Sequence, residues 1–195
     1  KKNTYAEHIG ASTFHYLPDY AGLKKQRHIY CLEGNWTTNP RSKQSVRPIL
    51  ELLRHSAGIK YIYRKCNTRG EFFEYLRQYT FKRYRNYTIL YIAFHGRPNG
   101  ICIGRDFITL AEIAEALEGH LNGRVVHFGS CSTMRTAHAN IDGFLNRTEA
   151  EQISGYRKIV DFVEASAWEM VWLHSFILAT NLIAIKVYKL PSLLL

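Results

Sequence analysis

The sequence predicts an α/β fold: a three-layer α/β/α sandwich around a mostly parallel sheet of about six strands. Three observations carry this. Short apolar runs alternate with capped, amphipathic stretches, as in repeated strand and helix units. The run 88–94 is almost wholly apolar, which suits a central strand covered on both faces. No repeat, low-complexity tract or Pro/Gly/Ser linker interrupts the chain. One domain is therefore expected over 1–195, with an irregular segment at 1–27 and a core over about 28–190.

The first strand falls at 28–32 and leads into Glu33-Gly34-Asn35-Trp36. A helix follows over about 45–56, where Val46, Ile49, Leu50 and Leu53 recur at helical spacing. Pro48 sits in its tolerant first turn and Gly58 ends it. Residues 61–63 form a second strand. Thr68 and Glu71 make a capping box for the next helix, whose inward stripe is Phe72, Phe73, Leu76 and Tyr79. Beyond the central strand, Asn99-Gly100 signals a tight turn and 100–108 reads as a small hairpin. Thr109 and Glu112 form a second box, opening a helix with Leu110, Ile113, Ala114 and Leu117 on one face. Residues 124–128 are a β-branched strand, 136–150 a polar loop and 151–156 a further strand. Ser166 and Glu169 cap an apolar helix, and 182–188 close the sheet.

Composition narrows the function classes. Apolar residues make up 46% and charged residues 22%, which excludes wholesale disorder. A formal net charge of +10 makes an anionic partner worth testing. Cys31, Cys66, Cys102 and Cys131 are too few and too scattered for a disulfide scaffold, and no C-x-x-C pair points to structural zinc. The apolar stretch 171–185 is short for a span of about 20 residues and carries His174, Ser175, Thr180 and Asn181. The N-terminal residues lack a signal-peptide core and do not begin with Met, so the chain reads as a cytoplasmic protein or a fragment of one.

Two strand ends carry candidate chemistry. The strand ending Ile92-Ala93-Phe94 delivers His95-Gly96 into a loop, and the strand ending His127-Phe128 delivers Gly129-Ser130-Cys131. In a parallel sheet both would stop at the carboxyl edge, where open α/β sheets place their sites. Adjacent strand ends lie about 5 Å apart, within reach of a nucleophile and its base. A neighbouring imidazole can take the proton that turns a thiol into the reactive thiolate. Backbone N–H groups at Gly96 and Cys131 can supply an oxyanion hole. No metal or organic cofactor is called for.

This arrangement resembles the caspase-like cysteine peptidases of clan CD, including the bacterial CHAT-type branch. The residues that carry it are Tyr91-Ile92-Ala93-Phe94-His95-Gly96 and Val125-Val126-His127-Phe128-Gly129-Ser130-Cys131. The resemblance implies a caspase-haemoglobinase fold, His95 as base, Cys131 as nucleophile and Gly96 as an oxyanion donor. It also implies a substrate pocket near the ends of the first strand and of the strand after the cysteine. Those regions offer Glu33 and Asp161, with Ser130 beside the nucleophile, and a carboxylate there would favour Arg or Lys before the scissile bond. The caspase signature around the cysteine is absent, and the His precedes the Cys by 36 residues, where about 50 separate them in caspases. Aspartate specificity is therefore not carried over.

Structural readings stand beside these. A cysteine at a strand end is often a small buried hydrophobe, and a His after a strand is often structural. Glu33 would then order its loop and Asp161 cap a helix. His127 would lie about 13 Å from Cys131 on an extended strand, and His138 sits on the polar loop. The expected partner is a protein or peptide substrate, with room for a regulatory domain or subunit and none for a membrane. The alternative is an inactive caspase-like module that binds a protein or nucleic acid. For the latter, 75–87 interleaves Arg77, Lys82, Arg83 and Arg85 with Tyr79, Phe81 and Tyr84. The plainer reading is an amphipathic helix with its aromatics turned inward.

Overall fold

The computed structural model describes residues 27–178. The chain runs β1 (Ile29–Glu33), α1 (Arg47–Ala57), β2 (Tyr61–Lys65), α2 (Arg69–Tyr79) and β3 (Ile89–Ala93). It continues through β4 (His95–Arg97), β5 (Gly100–Ile103), β6 (Asp106–Thr109), α3 (Leu110–Ala116) and β7 (Val125–Phe128). It then forms α4 (His138–Thr148), β8 (Gln152–Gly155) and α5 (Phe162–Leu178). Strands β2-β1-β3-β7-β8 make one five-stranded, wholly parallel sheet, and β4-β5-β6 make a small antiparallel one. The α/β reading is thus the observed fold.

Alternation along the strands builds the layers. β1 and β3 are buried at every position, as central strands with helices on both sides must be. Ile29, Cys31, Ile89, Tyr91 and Val125 face a core shared with α1 and α5. Tyr30, Leu32, Leu90, Ile92, Val126 and Phe128 face a second core with Phe72 and Leu76 of α2, Ile113 of α3 and Phe144 of α4. Both predicted capping boxes form, with Thr68 and Thr109 each accepting from the amide three residues on. Gly58 ends α1 at φ 66°, the left-handed cap a side chain would resist.

Four expectations need correction or fall elsewhere. The polar loop at 136–150 holds α4, because Ile141, Phe144 and Thr148 recur at helical spacing and Ile141 and Phe144 pack into the core shared with α3. The predicted hairpin is a three-stranded sheet that includes His95 itself. Helix α5 starts at Phe162 rather than Ser166, because Asp161 Oδ1 accepts the Val163 and Glu164 amides. The closing strand expected at 182–188 lies outside the described residues. Among the described residues no helix is long and apolar enough to cross a membrane.

Candidate active site

Register places the site. Ile29 pairs with Ile89, and Ile89 with Val125, so β1, β3 and β7 start level and deliver their last residues to one edge. That edge gathers Trp36 after β1, His95 after β3 and Cys131 after β7.

His95 is exposed, and its Nε2 lies 2.8 Å from the Trp36 carbonyl oxygen. A carbonyl only accepts, so Nε2 carries the proton and Nδ1 keeps the lone pair of a base. The two rings also meet edge to face, 5.5 Å apart. Trp36 is fixed in turn: its indole N–H donates to Glu33 Oε1, and its ring packs against Phe162 at 5.1 Å.

The segment 130–134 is pinned from three directions. Ser130 Oγ accepts the Phe94 amide at 3.2 Å and donates to the Ile92 carbonyl, which ties the end of β7 to the end of β3. Thr133 donates to the Gly100 carbonyl at 3.0 Å. The Ser132 and Met134 amides donate to Lys158 and Tyr156 carbonyls, each at 3.0 Å. Between these pins Cys131 is half-buried, and its thiol donates to the Val160 carbonyl at 3.6 Å. Among the described residues the Cys131 amide has no acceptor.

Gly96 joins the two halves. A Cβ there would run into the Cys131 carbonyl oxygen and come within 2.5 Å of Thr133 Oγ1. The backbone following His95 therefore lies directly on the backbone of Cys131, and only glycine permits that approach. Burial sorts the cysteines further. It pushes the Cys31 thiol well up, and the Cys66 thiol up to about 12, so both stay protonated and inert. Cys102 and Cys131 are the half-buried pair, and Cys102 stands opposite His95 in the β4–β5 ladder.

The three residues expected to read substrate are engaged internally. Glu33 is wholly buried, and its carboxylate accepts from Trp36 Nε1, Ser45 Oγ, the Val46 amide and the Tyr63 hydroxyl. It anchors the α1 N-terminus, whose first turn carries no acid, and holds Trp36. Asp161 caps α5, and Ser130 is the rivet described above. For Glu33, a carboxylate facing substrate is thus corrected to a buried one that positions other groups, while Asp161, on the surface, caps α5.

His127 points into the α5 layer and bonds Ser154 Oγ through Nδ1 at 2.9 Å, while His138 opens α4 on the surface. In 75–87, Tyr79 is buried, and the guanidinium groups of Arg77 and Arg83 both lie 5.2 Å from the Phe81 ring centre. The residue missed by sequence reasoning is Trp36, which acts through its carbonyl, a group every residue has.

The chain belongs to a family of unknown function, DUF6642, whose model matches residues 26–188. Comparison with the curated proteins returns no match. Among solved structures, the chain is similar to caspase-1 from Spodoptera frugiperda at 11% identity and a TM-score of 0.41, covering 57% of this chain. It spans about half the length of that caspase, 50%. It is also similar to an NADH:FMN oxidoreductase in its apo form, at 11% identity and a TM-score of 0.45, over 80% of this chain and 90% of that one.

Proposed function

We propose that the protein is a cysteine peptidase that cleaves peptide bonds through His95 and Cys131. The observation that carries this reading is the seating of Gly96 on the Cys131 backbone, with His95 held by Trp36 in the tautomer of a base. His95 Nδ1 takes the thiol proton as the thiol leaves the Val160 carbonyl, and the thiolate attacks the substrate carbonyl carbon. The amides of Gly96 and Cys131 hold the resulting oxyanion. Collapse breaks the C–N bond, His95 returns the proton to the leaving amine, and a thioester remains on Cys131. Water then hydrolyses the thioester, with His95 again taking and returning a proton. A reducing compartment would keep Cys131 in the thiol form this cycle needs. No basic-residue preference is attached to the proposal, because Glu33 and Asp161 have internal donors.

Cys102, across the ladder from His95, supports a second reading in which it is the nucleophile. A peptide library and an electrophilic thiol probe separate the two. Cys131→Ala and His95→Ala are expected to lose cleavage by about a thousandfold, with Cys102→Ala retaining it. Parent-like cleavage and labelling in Cys131→Ala would overturn the assignment. A loss confined to Cys102→Ala and His95→Ala would transfer it to Cys102.

A further inference from the structure

The helix that closes the α1 side of the sheet reaches both halves of the candidate dyad through neighbouring residues. At its start, Phe162 packs edge to face on Trp36, 5.1 Å between ring centres, and Trp36 holds His95 Nε2. Just before it, the Val160 carbonyl receives the Cys131 thiol. Two turns further on, Glu169 is buried and accepts the Tyr91 hydroxyl. Its Oε1 lies 3.7 Å from His127 Nε2, and a Cβ on Gly129 would come within 2.7 Å of that same oxygen. Glu169 is therefore pressed against the backbone two residues before Cys131. His127 is buried too, stacked on Trp172 of α5 at 4.4 Å, and its Nε2 has no hydrogen-bond partner. The groups facing Glu169 come from every neighbouring element. They are Tyr91 from β3, His127 from β7, Tyr156 just past β8 and the Cys31 thiol of β1.

A polar cluster in this layer costs stability relative to aliphatic packing, since buried charges and unpaired nitrogens lose their hydration. What such a cluster supplies is a fixed geometry, because each member has one arrangement that satisfies its neighbours. We propose that α5 aligns the dyad: Glu169 positions Cys131 through Gly129 and His127, and Phe162 positions His95 through Trp36. Both are positioning residues, and the inference rests on the His95–Cys131 reading above. The helix then adds to the Gly96–Cys131 contact in setting the separation of nucleophile and base, which follow different strands and have no covalent tie shorter than 36 residues.

The test is the rate of Cys131 alkylation by iodoacetamide across a pH series, followed by mass spectrometry in a Cys102→Ser background. Glu169→Gln keeps the size but replaces one carboxyl oxygen with an NH2 donor that Gly129 and the Tyr91 and Tyr156 hydroxyls must accommodate; Phe162→Leu removes the ring, and Phe162→Tyr restores it. The first two are expected to slow alkylation near neutral pH by about tenfold and to move its midpoint upward, as a misplaced base would. Phe162→Tyr is expected to follow the parent curve. Circular dichroism confirms which variants are folded at the assay temperature. If Glu169→Gln unfolds, His127→Gln tests the same arm. Parent-like curves in the folded variants would overturn the proposal while a slowed His95→Ala control keeps the dyad standing. A His95→Ala curve matching the parent would remove the dyad, and the alignment with it.

Discussion

At the scale of single residues, two glycines carry opposite expectations, and only Gly96 belongs to the site. Gly96 lies where a Cβ would enter the Cys131 carbonyl, and both partners are backbone that cannot turn aside. Gly96→Ala is expected to abolish Cys131 chemistry and to cost about 1–3 kcal/mol of stability, an overpacking penalty. Gly70, near the start of α2, has nothing within 4 Å of an added Cβ. Gly70→Ala should therefore raise stability by about 0.5–1 kcal/mol and leave reactivity unchanged. Urea melts and probe labelling on the two variants check both; a Gly96→Ala protein that labels at the parent rate contradicts the close packing. That His95, Gly96 and Cys131 come to one sheet edge was legible because a strand that stops before a polar residue advertises an edge. Trp36 was not legible, since its contribution is a carbonyl whose direction only the folded loop determines. Glu33 was misread for the same reason: a carboxylate after a strand looks free until its four donors arrive from three other segments.

At the scale of elements, local signals were read correctly and long-range ones were not. The boxes Thr68–Glu71 and Thr109–Glu112 close within four residues, so composition alone reveals them. Helix α4 follows Ala137, which offers no capping side chain, and its exposed face is polar enough to resemble a loop. Ser166 and Glu169 imitate a capping box, but Glu169 turns inward to Tyr91 and Asp161 caps the helix instead. The α1 entrance shows how one buried group can hold an element. Glu33→Ala leaves Trp36 Nε1, Ser45, the Val46 amide and Tyr63 without their acceptor. Loss is expected to be about 3–5 kcal/mol, because several buried donors lose their acceptor at about 1–3 kcal/mol each. The same variant frees Trp36, so His95-dependent labelling should fall at temperatures where the protein remains folded. An unchanged urea midpoint would show that α1 is anchored by its apolar face alone.

At the scale of the whole molecule, charge sets the acid limit of the fold. Several carboxylates titrate below their usual 4.5 in the folded chain. Amide and hydroxyl donation from Thr109 with Arg69 takes Glu112 down to about 2, and Arg77 with Gln78 takes Glu74 to about 2. Glu71 is lowered by the Asn67 amide and Glu51 by the Tyr61 hydroxyl. A depressed folded value means that the unfolded chain binds more protons at acid pH, so these groups support the fold above about pH 4.5 and lose that support toward about pH 2. Glu71 and Glu74 are exposed and Glu51 and Glu112 half-buried at the surface, so each contributes modestly. The net charge works in the same direction: it is +10 at pH 7 and rises as the 16 acids are neutralised. Glu112 is the informative member, because it caps α3 and also reaches Arg69 of α2 at 2.7 Å. Its protonation loosens a cap and an interhelical contact together. The melting temperature is therefore expected to fall a little from about pH 7 to about pH 5, because burial beside Lys60 lowers the His28 pKa, and to fall further below about pH 4.5 as the carboxylates are protonated. Glu112→Gln should lower the melting temperature near neutral pH and make the acid slope shallower, because one titrating partner is gone. Calorimetry across the series decides: parallel curves for parent and variant would remove Glu112 from the account, and a curve with no further fall down to about pH 2.5 would remove the carboxylates altogether.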